Sequence, residues 1–210
     1  LTAAVLNTLD GNTSGTINAN SINTLSGAAA ALITTYASES ISNLGDEAVN
    51  VNNGDASTSQ ANTLAAATSG VVTATISDGD MGTLAGLNET GNAYTITITD
   101  TSISASDLNT LDGKTSGSII TNSVNTLTGS AADINTAYAS SGISNLGDEA
   151  VTLTDTSLAA SVLNTLDGHT SGSVNASSIN TLSGAAADLN TAYASSGISN
   201  LGDEAVTLTD

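Results

Sequence analysis

The chain is read as an α/β solenoid, one parallel strand and one short helix to a coil, on three observations. Short β-branched runs recur every 23 to 32 residues, a large aliphatic residue stands fifteen residues after the start of each complete run, and almost nothing bulkier than leucine is available to fill a core. Self-similarity at such a period is the mark of a repeat architecture, in which each repeat buries its apolar face only against its neighbours.

The runs open near residues 17, 49, 72, 96, 119, 151, 174 and 206, at Ile17, Val49, Val72, Ile96, Ile119, Val151, Val174 and Val206. Two residues on come Ala19, Val51, Ala74, Ile98, Thr121, Leu153, Ala176 and Leu208, the second inward position of a period-2 strand. The later column is Leu32, Leu64, Leu87, Leu111, Ile134, Leu166 and Leu189. About eight coils follow from these columns.

Between run and column lies a helix-compatible stretch. In "TDTSLAASVLNTLDG", Thr156 or Ser157 is placed to cap a helix, Leu158, Val162 and Leu166 fall at i, i+4 and i+8, and Gly168 stands where a left-handed terminator belongs. In "GAAADLNTAYASSG", Ala186, Leu189 and Tyr193 share one helical face. The "TSG" at 13–15, 68–70, 115–117 and 170–172 is a turn into the next strand. An all-β right-handed solenoid, with "SLAASVLNTL" as a second strand and corner, is the alternative; its alternation is poorer than the helical spacing.

Composition suits a narrow coil. The 210 residues include no Cys, Pro, Trp or Phe, and the four tyrosines, Tyr36, Tyr94, Tyr138 and Tyr193, are the only aromatics. Twenty Asp and Glu against a single Lys give a net charge of -19, so the basic footprint of a nucleic-acid or anionic-membrane partner is missing. No stretch approaches a membrane span, so no membrane insertion is expected. With one His and no Cys, triads and histidine-based metal sites have no parts, and no enzyme activity is expected. His169 stands where Asn12 and Lys114 stand in sibling repeats, as an exposed turn residue would.

Two motifs carry polar chemistry. "LGDEAV" sets Asp46 and Glu47, Asp148 and Glu149, and Asp203 and Glu204 before a strand. These are candidate Ca²⁺ ligands, since hard oxygen donors could gather from adjacent coils; the competing reading is a solvated loop that keeps the array soluble. Asn7, Asn62, Asn109 and Asn164 form one asparagine column, and Asn23, Asn125 and Asn180 another. Stacked coils would turn such amides into a ladder bonded to neighbouring main chain, a better use for them than ligand recognition.

Leu1 aligns with Leu158 and Asp210 with Asp155, and neither end resembles the polar cap of a terminal repeat. The expectation is a single uncapped array over 1–210, either a slice of a longer repeat protein or a unit that stacks end to end on copies of itself.

"VTLTDTSLAASVLNTLDGHTSG" and "AADLNTAYASSGISNLGDEAVTLTD" resemble the Ser/Thr/Asn/Ala-rich repeats of giant cell-surface proteins of marine cyanobacteria, of the type associated with swimming motility. The "LNTLDG" at 6, 108 and 163 is more loosely similar to marine phage tail-fibre repeats. The resemblance implies an extracellular or cell-surface structural protein, filament-forming, that supplies length, stiffness and an acidic hydrophilic coat. The competing class is a binding module, an adhesin or tail-fibre segment contacting glycans.

Overall fold

The computed structural model of the chain, described over residues 1–209, is α/β, with short helices alternating with parallel strands. The eight helices among those residues are α1 (Ala3–Asn12), α2 (Ala29–Tyr36), α3 (Thr58–Ala67), α4 (Met81–Leu84), α5 (Ala105–Asp112), α6 (Ala131–Ala139), α7 (Ala160–Asp167) and α8 (Ala186–Ala194). None is long and apolar enough to cross a membrane. Two compact units divide the chain, Leu1–Thr97 with Leu111–Ile120, and Ile98–Thr110 with the residues from Thr121 onward.

In the first unit the strands are β1 (Ile17–Asn18), β2 (Thr24–Gly27), β3 (Ile41–Ser42), β4 (Ala48–Val51), β5 (Val72–Thr75) and β6 (Ala93–Thr97). The second unit contributes β7 (Ser102–Ser104), and the chain returns to the first for β8 (Ile119–Ile120). Every pairing is parallel. Ile17 lies opposite Ile41, Leu25 opposite Val49, Val49 opposite Val72, Ala74 opposite Tyr94 and Ile96 opposite Ile119.

The second unit continues with β9 (Thr126–Gly129), β10 (Ile143–Ser144), β11 (Ala150–Leu153), β12 (Ser157–Ala159), β13 (Val174–Asn175), β14 (Thr181–Gly184), β15 (Ile198–Ser199) and β16 (Ala205–Leu208). One run of strands is ordered β15-β13-β11-β9-β7 and a second β12-β14-β16.

Each hydrogen-bonded coil advances 20 to 24 residues along the chain. The 32-residue spacing of the sequence columns resolves into one coil plus a hop of eight residues from one strand to the next, as from Ile41 to Val49. Those eight residues step the sheet sideways. β4 pairs with β2 on one edge and with β5 on the other, whereas β3 pairs with β1. β11 does the same between β9 and β13, and the additional strand β12 opens a fresh column with β14.

The later column is core throughout, Leu32, Leu64, Leu87, Leu111, Ile134, Leu166 and Leu189 all being buried; of the opening column Val49, Val72, Ile96, Ile119, Val151 and Val174 are buried, whereas Ile17 is half-buried and Val206 exposed. A further buried set, Leu25, Leu127 and Leu182, belongs to β2, β9 and β14, strands of sequence "TLSG" or "TLTG" that stand outside the expected columns. Tyr94, in β6, is fully buried core.

Helix boundaries differ from expectation at one repeat. Ser157 and Leu158 lie in β12, so α7 starts at Ala160 behind Ala159 with no side-chain cap. Thr156 and Ser157 are held instead by strand pairing to Thr181 and Asn180. Gly168 ends α7 at φ -74, a right-handed conformation and not the left-handed stop. Elsewhere local caps do form: Ser57 and Gln60 make a reciprocal capping box on α3, and Ser130 accepts from Asp133 N on α6 at 3.1 Å.

Candidate functional site

The chemistry concentrates at the seams between coils. At the end of α2, the half-buried Tyr36 donates its hydroxyl to the carboxylate of Glu47, eleven residues on. Between them Asn43 and Gly45 take left-handed or otherwise positive φ values of 61° and 130°, which turns the loop back beneath the helix. The Gly45 amide donates to Glu47 Oε2 at 2.9 Å. Tyr138 and Glu149 repeat this arrangement with Asn145 and Gly147, and Tyr193 and Glu204 with Asn200 and Gly202.

The next coil closes over the first two locks. Thr68 donates its hydroxyl to the Glu47 carbonyl at 2.7 Å and accepts from its own turn's Gly70 amide at 3.0 Å. Thr170 does likewise with Glu149 at 2.6 Å and Gly172 at 2.9 Å. The close approach demands glycine: a Cβ on Gly70 or Gly172 would stand 2.3 Å from the glutamate carbonyl oxygen. Thr115 and Gly117 clasp the Tyr94 carbonyl in the same way, with the hydroxyl at 2.9 Å.

Burial and the bond to glutamate set the electrostatics. Desolvation first, then the Glu47 or Glu149 hydrogen bond, hold the Tyr36 and Tyr138 phenols well above the ordinary 10.0. Tyr193 is exposed, and there the Glu204 bond leads, pushing the phenol up to about 12. Partial burial raises the Glu204 carboxyl, but the Tyr193 hydroxyl and the Gly202 amide outweigh it, so its pKa lies below the ordinary value.

The "LGDEAV" pairs are therefore split. Glu47 and Glu149 are buried and turned inward, while Asp46, Asp148 and Asp203 face solvent. No group of three His, Cys, Asp or Glu side chains placed to hold a metal lies among the described residues. Shallow polar grooves run past the aspartates, one lined by Asn122, Asn145, Leu146, Gly147 and Asp148 and its counterpart by Ser177, Asn200, Leu201, Gly202 and Asp203. The exposed His169 stacks on Tyr138, ring centroids 5.1 Å apart and planes 20° from parallel.

The first asparagine column is a ladder. Asn7, Asn62, Asn109 and Asn164 donate to the carbonyls of Ala31, Gly86, Asp133 and Asp188 at 2.7 to 3.0 Å, in each case 24 residues ahead. The second column works through main chain: the carbonyls of Asn23, Asn125 and Asn180 accept from Ala48, Ala150 and Ala205.

Several seam residues were not singled out in the sequence. Besides the "TSG" threonines, Asp155 Oδ2 accepts from Ala131 N and Asp78 Oδ2 from Thr58 N, both at 2.7 Å, so an aspartate of one coil caps the helix of the coil before it. Asp10 takes hydrogen bonds from Ser38 and Ser40, and Asp167 from Ser195. Recurrence of Thr and Asp at fixed offsets was the available signal. No known family profile, curated protein or solved structure matches this chain.

Proposed function

We propose that the chain is a structural repeat segment of an extracellular, cell-surface or filament-forming protein, and that its activity is to supply length, stiffness and an acidic coat. The supporting observation is the seam chemistry. The Thr hydroxyls and Asn amides described above join one coil to the next, and the Tyr–Glu bonds fix the loop on which the next coil closes. Parallel strands spaced about 4.8 Å apart bond continuously along such a stack, so each coil templates the following one. Part of the charge of -19 sits on exposed aspartates, Asp46, Asp55, Asp80, Asp107, Asp148 and Asp203, which hydrate the surface and repel neighbouring chains. Motility, adhesion or protection are the roles such a segment would serve.

A binding module that contacts glycans is the competing reading. The repeated Asn/Ser/Asp grooves of the second unit favour it, since they present the same amides and carboxylates twice. Immunogold labelling of native cells with an antibody to this chain separates these ideas from an internal role. Label in lines or patches on the outer surface supports the structural reading, and label confined to the cell interior overturns it. A glycan array that returns specific binding, lost on Asn145→Ala with Asn200→Ala, would transfer the assignment to the binding module.

A further inference from the structure

We infer that Asn53 is a self-modification site: the Gly54 amide nitrogen closes on its side chain, ammonia leaves, and the carboxylate that hydrolysis produces caps helix α2.

Asn-Gly is the pair in which this ring closes most readily, because glycine brings no side chain to shield its own amide nitrogen. Asn53-Gly54 is the one Asn-Gly pair in the 210 residues. It lies in the corner after β4, a strand paired on both edges by β2 and β5. Asn52, Asn53, Gly54 and Asp55 are all exposed, so water reaches the corner. Gly54 takes φ 87°, and a Cβ built on it would meet nothing within 4 Å. Among the described residues no hydrogen bond holds the Asn53 side chain or the Gly54 amide.

Four Asp-Gly pairs have the same ring within reach and are held back from it. Asp10 receives Ser38 and Ser40, Asp78 receives Thr58 N, Asp167 receives Ser195, and Asp112 is likewise engaged. The Gly168 amide is itself committed to the Asn164 carbonyl at 3.2 Å. An ionised carboxylate also resists attack by a nucleophile, whereas the Asn53 amide is neutral.

Water is the only co-reactant. Gly54 N forms a bond to Asn53 Cγ, the Cγ–Nδ2 bond breaks, and Nδ2 departs as ammonia with the Gly54 proton. Water then opens the five-membered imide. Attack at Cγ breaks the new bond and yields aspartate; attack at the Asn53 main-chain carbonyl yields isoaspartate, whose chain runs through Cγ. Nothing is oxidised or reduced, and either product carries a carboxylate in place of the amide.

The fold holds a post for the aspartate. Counted from Val49 and Val151, Asn53 is the counterpart of Asp155. The residues before them are held alike, Asn52 N donating to the Gly27 carbonyl at 3.2 Å and Thr154 N to the Gly129 carbonyl at 3.0 Å. Asp155 Oδ2 accepts from the amide of Ala131, the first residue of α6, 24 residues back. The same step back from Asn53 reaches Ala29, the first residue of α2, and α2 starts behind Ala28 with no side-chain cap. Negative charge at a helix N-terminus is stabilising, so conversion of Asn53 gives α2 the cap that α6 already has.

Incubation of the intact chain for days in warm, mildly alkaline buffer, followed by peptide mapping in a mass spectrometer, tests the chemistry. The amide-to-acid mass gain should appear on Asn53 at least tenfold faster than on any other asparagine, and Gly54→Ala should slow it at least tenfold. The wild-type map decides alone should that variant fail to fold. Asn53→Asp supplies the product directly and should melt above freshly purified wild type, a difference that disappears once acid protonates the new carboxylate. An Asn53 that keeps its amide, or loses it no faster than the other asparagines, overturns the modification. Asn53→Asp melting at or below the wild type overturns the cap. Neither readout depends on where the protein resides, so both stand apart from the labelling experiment.

Discussion

Thr170 gives its hydroxyl proton to the main-chain carbonyl of Glu149 at 2.6 Å, and through that one bond a turn in one coil holds the loop of the coil before it. The hydroxyl is buried and also accepts from Gly172 N. Thr170→Val keeps the shape and removes both bonds, leaving a carbonyl and an amide unsatisfied, so urea unfolding should show a loss of about 1–3 kcal/mol.

Glycine at the third position of that turn is a steric necessity. Gly172→Ala puts a methyl 2.3 Å from the Glu149 carbonyl and should cost at least as much as overpacking a core, about 1–3 kcal/mol, whereas Gly15→Ala, with open space around it, should be close to neutral. Thermal melts of the two variants side by side give the comparison.

Removing a phenol hydroxyl tests the lock itself. Tyr138→Phe strips the Glu149 carboxylate of its strongest donor in a buried setting and should destabilise by about 1.5–3 kcal/mol, the range for hydrogen bonds to charged groups. Tyr193→Phe removes the same bond at an exposed site and should be nearly silent in the same denaturation experiment.

Alkaline pH should unfold the chain through its tyrosines. Their folded pKa values are raised above 10.0, to about 12 for Tyr94, where burial leads and the Glu89 charge adds to it. A raised pKa stabilises fully below the unfolded value and loses that contribution as pH climbs through the folded one. Stability should therefore hold up to pH 10 and fall between 10 and about 12, with tyrosinate absorbance rising together with the loss of circular dichroism. Tyrosinate appearing at pH 10 in a chain still fully folded would contradict the assigned burial.

Chelation should leave the melting temperature unchanged. Calcium takes 6–8 oxygen ligands, and the glutamates best placed to begin such a shell already receive tyrosine hydroxyls and glycine amides. A melt that drops with EDTA and recovers with added calcium would place an ion at Asp46, Asp148 and Asp203.

What the sequence conveyed, it conveyed through large residues. Leu166 and Val151 stand in aliphatic columns regular enough to fix a parallel α/β coil, and both are fully buried. Leu127 was as deeply buried but invisible, because a lone leucine between threonines and a glycine gives neither alternation nor helical spacing. That omission is what merged a 24-residue coil with an eight-residue hop into one long unit. The polar seam was half legible. Asn109 recurs at a fixed offset and was recognisable as a ladder residue, whereas Glu149 and Asp148, adjacent and alike in charge, point opposite ways for a reason that lies in the left-handed turn at Asn145.

The named side-chain bonds from one coil to another reach 20 to 30 residues along the chain and no farther, from Asp78 on Thr58 to Ser40 on Asp10. Such short reach makes the number of coils an independent variable. In-frame gain or loss of a whole coil presents each survivor with a neighbour offering main-chain carbonyls at the same offsets to its Thr and Asn. A change of a few residues inside a coil breaks the Thr-to-carbonyl match at once. Selection can thus lengthen or shorten such a protein freely, but only in whole turns.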